Sequence, residues 1–352
     1  MRPKIHILYK FREAAWGGGN QFLKALREYF MKKGVYTENL EDAEVILFNA
    51  YPFGSEYFFD SIFKIKIKYP NKILIHRVDG PVSYVRGKDR LVDEITYMFN
   101  KFCADGTIFQ SNWCRTKNFE LGMRKNKFGT IIMNAPDPEI FYPPKNKVRG
   151  EGKIKLIATS WAPNLRKGFD IYKYLDGNLD FNRYEMTFVG RSPIKFERVK
   201  YVPPQPSERL AEILRKHDIF IIASINDPCS NALIEALHCG LPVVARNDGG
   251  HPEIVSEAGG LFEDEGDVLD AIDKVAQNYE YYRDRIKMLT IEDIGKRYYE
   301  FADRIYRDYL SGKYRPKQVN KTELMKIKAK AIKWKVVNKI ETGKGLLRRE
   351  KM

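Results

Sequence analysis

Short apolar runs alternate with longer amphipathic stretches along most of the chain. In the first half the runs are Lys4–Tyr9, Glu44–Phe48, Lys72–His76, Gly106–Phe109 and Phe128–Met133. They are rich in β-branched residues, as parallel strands covered on both faces are. Between them, Gln21–Lys33, Glu56–Lys68, Asp89–Phe102 and Ser111–Leu121 carry apolar residues three and four apart, which predicts helices. The stretch NAPDPEIFYPPKNKVRGEGK breaks this rhythm with four prolines and two glycines and reads as a linker. The alternation then restarts, with strands at Ile154–Thr159, Glu185–Val189, Ile219–Ala223 and Pro242–Arg246. Helices are predicted at Gly168–Leu175, Ser207–Lys216, Asn231–Cys239, Asp267–Tyr279 and Ile291–Leu310. Strand–helix alternation of this kind builds parallel sheets with helices on both faces. The 352 residues exceed what one core of up to about 300 residues holds, so two units are expected. The expected division is an N-terminal unit over 1–143, a second over 144–292, a helix over 293–312 packing back towards the first, and a tail over 313–352.

Charge separates that tail from the body. The chain carries a net charge of +15, and Lys313–Met352 alone holds 14 Lys or Arg against three acids, Glu323, Glu341 and Glu350. The body is therefore only mildly basic, and its charge does not point to a nucleic-acid-binding fold. In the tail, Leu324, Ile327, Ala331, Trp334, Val337 and Ile340 recur every three or four residues among lysines, the pattern of a basic amphipathic helix. A solvated tail and an interfacial anchor on an anionic membrane are the two leading uses, with nucleic-acid contact a third and less favoured one. The longest apolar run, Ile219–Ala223, is far too short to span a bilayer. The N-terminal MRPKIHILYKFRE reads as a first strand rather than a leader. Cys103, Cys114, Cys229 and Cys239 show neither CxxC spacing nor a companion histidine cluster, so free thiols in a cytoplasmic protein are expected.

The densest chemistry lies in NDPCSNALIEALHCGLPVVARNDGGHPEIV, Asn226–Val255. A strand ends at Ala223, Pro228 turns the chain, and a helix begins near Asn231. Its first amides and its dipole create an anion site at Ser230, Asn231 and Ala232. Read by itself, this is equally an ordinary strand–helix–strand unit. Seven residues separate Asp227 from Glu235, and Glu235-Ala236, Gly240, PVVA from Pro242, Gly249-Gly250, Glu253 and Val255 follow. The segment resembles the donor-site signature of retaining glycosyltransferases of the GT-B fold, family 4, the glycosyl transferases group 1. The resemblance implies that Glu235 holds ribose hydroxyls and that Asp227 touches the donor sugar, with Asp standing where the family has Glu.

Further matches extend to about residue 310. Gly17, Gly18 and Gly19 follow the first strand, where the family's glycine pair meets the donor phosphates, which points to Gly18 and Gly19. HRVDGP, from His76 to Pro81, occupies the place of the reaction-centre loop and makes His76 a candidate catalytic residue. In TSWAPNLRKGFD, Lys167 is the expected phosphate cation. Many members carry an Arg six residues before that Lys, whereas Trp161 stands there in this chain; Arg166 or Arg191 is left to supply the charge. Gly190 and Arg191, in FVGR, end a strand where the family binds base and diphosphate. The acid run Glu263–Asp267 reads as a solvated loop, and no metal site is expected.

The resemblance thus implies an α/β protein of the GT-B class, two Rossmann-like doubly wound domains facing a cleft, with a basic amphipathic tail. It implies a retaining glycosyltransferase that moves a sugar from a nucleoside diphosphate sugar to a hydroxyl on a glycan or lipid-linked acceptor, with no cofactor beyond the donor. Its place would be cytoplasmic, at the inner face of a membrane if the tail anchors it. Trp161 and Asp227 sustain a competing reading, an inactive GT-B-shaped binding protein held at a membrane or nucleic acid by its tail.

Overall fold

The computed structural model describes residues 2–12, 18–49, 56–145, 152–319 and 321–349. Gly17, residues 146–151 of the linker and residues 350–352 of the tail lie outside these. The first half is β1 (Ile5–Leu8), α1 (Gly18–Lys32), β2 (Val45–Asn49), α2 (Glu56–Lys68), β3 (Ile73–Val78), α3 (Val82–Arg86), α4 (Arg90–Cys103), β4 (Gly106–Phe109), α5 (Asn112–Glu120) and β5 (Phe128–Ile131). The second is β6 (Ile154–Ser160), α6 (Phe169–Asn178), β7 (Tyr184–Gly190), β8 (Lys200–Val202), α7 (Ser207–Arg215), β9 (Ile219–Ile222), α8 (Asn231–His238), β10 (Val243–Arg246), α9 (His251–Val255), β11 (Gly259–Phe262), α10 (Val268–Gln277) and α11 (Tyr279–Arg283). Two long helices close the chain, α12 (Ile291–Leu310) and α13 (Lys321–Arg349).

The first sheet runs β1-β2-β3-β4-β5, all parallel. That order looks singly wound until the far side of β1 is considered. There Ile5 bridges in parallel to Tyr36. The Ile5 N–H donates to Val35 O at 2.8 Å, and the Thr37 N–H donates to Ile5 O at 3.1 Å. The chain therefore leaves β1 through α1 to one side and returns to β2 on the other. This reversal opens a crevice at the carboxyl end of β1, directly before α1. The second sheet, β11-β10-β9-β6-β7-β8, reverses between β6 and β9 in the same manner. Each sheet thus offers a ligand crevice where its winding changes direction.

Alternating side chains bury both faces of each sheet. In the first, Ile5, Ile7, Val45, Leu47, Ile73 and Ile75 pack under α1 and α12, whereas Ile46, Phe48 and Leu74 pack under α2 and α4. In the second, Leu156, Ala158 and Ile221 meet α6 and α10, and Ile157, Phe220 and Ile222 meet α7 and α8. Helix α12 begins on a capping box between Thr290 and Asp293. It then lays Ile291, Ile294, Tyr298, Phe301, Ile305 and Tyr306 on the N-terminal sheet.

After α12 the chain stays with the N-terminal sheet. Asp105, fully buried, accepts hydrogen bonds from Lys66 Nζ at 2.9 Å, the Leu74 amide at 2.8 Å, Tyr314 Oη at 2.8 Å and the Lys317 amide at 2.7 Å. Four donors satisfy the carboxylate, which is what a buried ion pair needs to be tolerated. Helix α13 then runs antiparallel along α4. Ile327 is buried there, with Leu324, Ala331 and Trp334 packed around it. Lys330 pairs with Glu94, and Trp334 Nε1 donates to Asp89 at 3.4 Å. Four residues of the apolar row read from the sequence are thus taken up by α4, not offered to a membrane. Ile332, Val336 and Val337 are exposed. Among the described residues no helix is long and apolar enough to cross a membrane.

Candidate active site between the two sheets

The two crevices face each other across one cavity of about 330 Å³. The second half contributes the ends of β6 and β9 together with Lys167, Asp227 and the start of α8; the first contributes Gly18, Gly19, Asn49, Arg77, Asp79 and Gln110. Two helix N-termini open onto it: α1 at Gly18 and Gly19, and α8 at Ser230, Asn231 and Ala232. Ser230 caps α8, its side chain accepting from the Leu233 amide. Gly18 approaches so close to Asn231 that a Cβ there would collide with the Asn231 side chain. Orphan amides and two dipoles make this a site for an anion before any charged side chain is counted.

Lys167 Nζ is 2.8 Å from Asp227 Oδ2. The Asp227 side chain is only 11% exposed. Burial pushes its carboxyl up, but Lys167, His251 and the hydrogen bonds from Lys167 and the Cys229 amide outweigh this and hold it below the usual range. His251, which the sequence reading did not single out, supports the pair from beneath: its Nε2 lies 3.2 Å from Ser224 Oγ, and Ser224 Oγ reaches towards Asp227.

An adjoining pocket of about 110 Å³ is lined by Gly190, Gln205, Ser207 and Glu235, and it shares Gly18, Trp161, Asn231 and Ala232 with the main cavity. Gly190 has φ +135 and lies against Ser160 O so tightly that no side chain fits. No hydrogen bond is found for the Glu235 carboxylate among the described residues, and burial raises it to about 8. Arg191 stacks on Trp161, its guanidinium carbon 4.5 Å from the ring centroid. The residue in the place of the family's Arg therefore carries a cation on its face. Arg166 goes elsewhere. It does not line the main cavity, and a Cβ on Gly87 would sit 2.7 Å from its Nη2, so it packs on the N-terminal half.

His76 is corrected most firmly. The strand runs two residues further than its apolar stretch suggested, so His76 is interior to β3 and not at its end. It is fully buried, stacked on Phe48 at 4.8 Å, with Nδ1 2.9 Å from Asn100 Nδ2. Burial lowers its pKa to about 3. His76 is a neutral core residue turned away from the cavity.

Its neighbours face the other way. Arg77, 1% exposed, donates from Nη1 to Asn49 Oδ1 at 2.8 Å and from Nη2 to Gln110 Oε1 at 2.6 Å and Asn134 Oδ1 at 2.7 Å. Its Nη1 is also 3.3 Å from Asp79 Oδ1. Sequence reasoning missed Arg77, Asp79, Asn49, Gln110 and Asn134. The strand parity of HRVDGP carries the signal, because alternate residues must point to opposite faces.

Contacts across the cleft fix the two halves. Glu253 on α9 accepts from the amides of Asn112 and Trp113 at 2.8 Å each, so a carboxylate of one half sits at the N-terminus of α5 in the other. Asn134 Nδ2 donates to Asn231 Oδ1 at 3.0 Å. A Cβ on Gly80 would lie 3.0 Å from Pro228 Cβ, which brings the loops of Asp79 and Asp227 together.

Residues 196–288 match the family model described as glycosyl transferases group 1. A D-inositol 3-phosphate glycosyltransferase of Mycobacteroides abscessus is 43% identical over 61 residues, a stretch that is 17% of this chain and only 14% of that relative. The crystal structure of Anabaena Alr3699/HepE in complex with UDP-glucose superposes with a TM-score of 0.61 at 13% identity, covering 88% of this chain and 100% of the other. WaaG, a glycosyltransferase involved in lipopolysaccharide biosynthesis, gives a TM-score of 0.61 at 12% identity over 85% of this chain and 99% of its own. The chain thus has the two-sheet GT-B fold of those structures, and its residues 196–288 are similar to the glycosyl transferases group 1.

Proposed function

We propose that the protein transfers a sugar from a nucleoside diphosphate sugar to a hydroxyl group, with retention of anomeric configuration. One observation carries the reading: two helix N-termini and Lys167 converge on a single cavity whose side pocket holds Glu235. The diphosphate would lie against the amides of α1 and α8 with Lys167, which stabilises the charge that grows on it as the sugar leaves. Glu235 would accept from the ribose and Asp227 would contact the sugar. Arg191 on Trp161 would replace the family's missing Arg. The UDP-glucose held by the HepE structure supports a donor of this chemical class.

A lipid-linked acceptor fits the placement of α13. That helix passes the start of α4 at Asp89, on the cleft side of the sheet, and continues for about 22 Å at 1.5 Å per residue. In this proposal its basic end rests on an anionic membrane at the cytoplasmic face.

The test is a thermal-shift panel with UDP, GDP, ADP and dTDP, followed by turnover of the matching donor sugars. A nucleotide present at 100 times its Kd should stabilise the protein by roughly 2.7 kcal/mol. A protein that responds to none of the four overturns the donor reading. One that binds but turns nothing over is a binding protein on an enzyme's fold.

A further inference from the structure

We infer that Asp79 binds the acceptor, taking a hydrogen bond from its hydroxyl, and that the cavity selects an acceptor uncharged around that hydroxyl. The inference rests on the donor reading above and concerns the opposite wall of the same cavity.

Asp79 lies just beyond the carboxyl end of β3, where ligands gather in such sheets. It is the acid that the N-terminal half places in the cavity among the described residues, facing Lys167 and Asp227. Three side chains hold it. Gln110 Nε2 and Arg77 Nη1 reach Oδ1, and Asn49 Nδ2 donates to Oδ2 at 3.2 Å. Asn118 Nδ2 anchors its backbone carbonyl at 3.1 Å. A carboxylate oxygen accepts more than one hydrogen bond, so Oδ2 keeps capacity beyond Asn49. The side chain remains 32% exposed, and that exposure opens on the cavity. The result is a fixed acceptor of hydrogen bonds opposite the sugar position, whereas the anion-binding features sit at the starts of α1 and α8.

Charge then defines the ligand class. Among the described residues, two cations line the cavity, and each already faces an acid: Arg77 with Asp79, and Lys167 with Asp227. The Arg77 Nη groups are engaged by Asn49, Gln110 and Asn134 as well. Lys167 is the cation assigned to the diphosphate. A carboxylate or phosphate beside the reacting hydroxyl would meet Asp79 with no cation left to pair with it. A sugar or polyol hydroxyl would instead donate to Asp79.

The experiment uses the full chain, the nucleoside diphosphate identified by the panel, its donor sugar, and two series of probes: neutral alkyl glycosides and the corresponding alkyl uronides. The wild type should transfer to neutral probes and reject uronides. Asp79→Asn should lower kcat/KM for the neutral probe about 10- to 100-fold, the range for losing a hydrogen bond to a charged group. Its nucleotide affinity should stay unchanged, and its rejection of uronides should relax. If Asp79→Asn is unstable, Asp79→Glu, with the charge kept and the carboxylate displaced, should lower transfer to the neutral probe while still rejecting uronides. Normal transfer by the variants overturns the inference, as does a parallel loss of nucleotide affinity. Nucleotide binding by the wild type without transfer to any neutral probe overturns it while leaving the donor reading intact; no nucleotide binding removes both.

Discussion

Lys167 and Asp227 neutralise each other across 2.8 Å at the mouth of the anion site. The lysine must therefore be shared between Asp227 and an incoming diphosphate. Lys167→Ala removes the cation and leaves Asp227 buried without its main partner. We expect kcat/KM to fall about 100-fold or more, together with nucleotide affinity measured by calorimetry. An unchanged kcat/KM would move the phosphate cation to Arg191.

Glu235 and Asp227 should separate by role. A ribose contact is made in the ground state and transition state alike, so Glu235→Gln should mainly weaken nucleotide binding, whereas Asp227→Asn should bind nucleotide nearly normally and transfer slowly. Equal losses of nucleotide affinity would refute the assignment. Glu235 also has a pH signature. Burial lifts it from 4.5 to about 8, so between these values the folded state holds a proton that the unfolded state has released. Stability should therefore fall as pH rises through that window. In Glu235→Gln, melting temperatures taken from about pH 5 to about pH 9 should lack this decline.

His76→Gln should leave kcat/KM within about twofold while lowering stability by about 1–3 kcal/mol. Because burial holds His76 down to about 3, the unfolded chain takes up a proton below 6.5 that the folded one refuses. Stability should fall as pH drops through that range, less steeply in the variant. A large loss of transfer in a variant of normal stability would return His76 to the active site.

Truncation after Gly312 deletes the Tyr314 and Lys317 bonds to Asp105 and uncovers the α4 face beneath Ile327, so the melting temperature should drop. Truncation after Val337 keeps those contacts and removes Lys339, Lys344, Arg348, Arg349 and Lys351. Each basic residue near an anionic surface contributes about 1 kcal/mol, weakened by salt. This second variant should pellet less with anionic liposomes at low salt. Equal pelleting, or none by the full chain, removes the membrane proposal.

The sequence made some of this legible and hid the rest for identifiable reasons. Helix α8 and strands β9 and β10 follow from local periodicity, Gly240 and Pro242, and the helix start near Asn231 marks the anion site. The N-terminal wall was not legible. Arg77 is buried because Asn49, Gln110 and Asn134, far off in sequence, meet it; a window that ends the apolar run at His76 cannot see them. The short pairing of residues 35–37 with β1 is too brief to leave a pattern, yet it sets where the first sheet reverses. The tail's apolar row was plain, but periodicity does not say whether lipid or α4 covers it.

The return of α12 to the N-terminal sheet has a consequence for the order of assembly. One face of that sheet is covered by residues 291–306, so the first sheet lacks part of its core until the whole second half and α12 have been made. The second half, from Ile154 to Arg283, is contiguous and carries its own cores, to which the linker adds Phe141. Domains generally fold in the order of synthesis. Here the later half should close first and serve as a platform on which the earlier half is completed. Chains stalled near residue 285 should resist protease in the second half while remaining cleavable in the first.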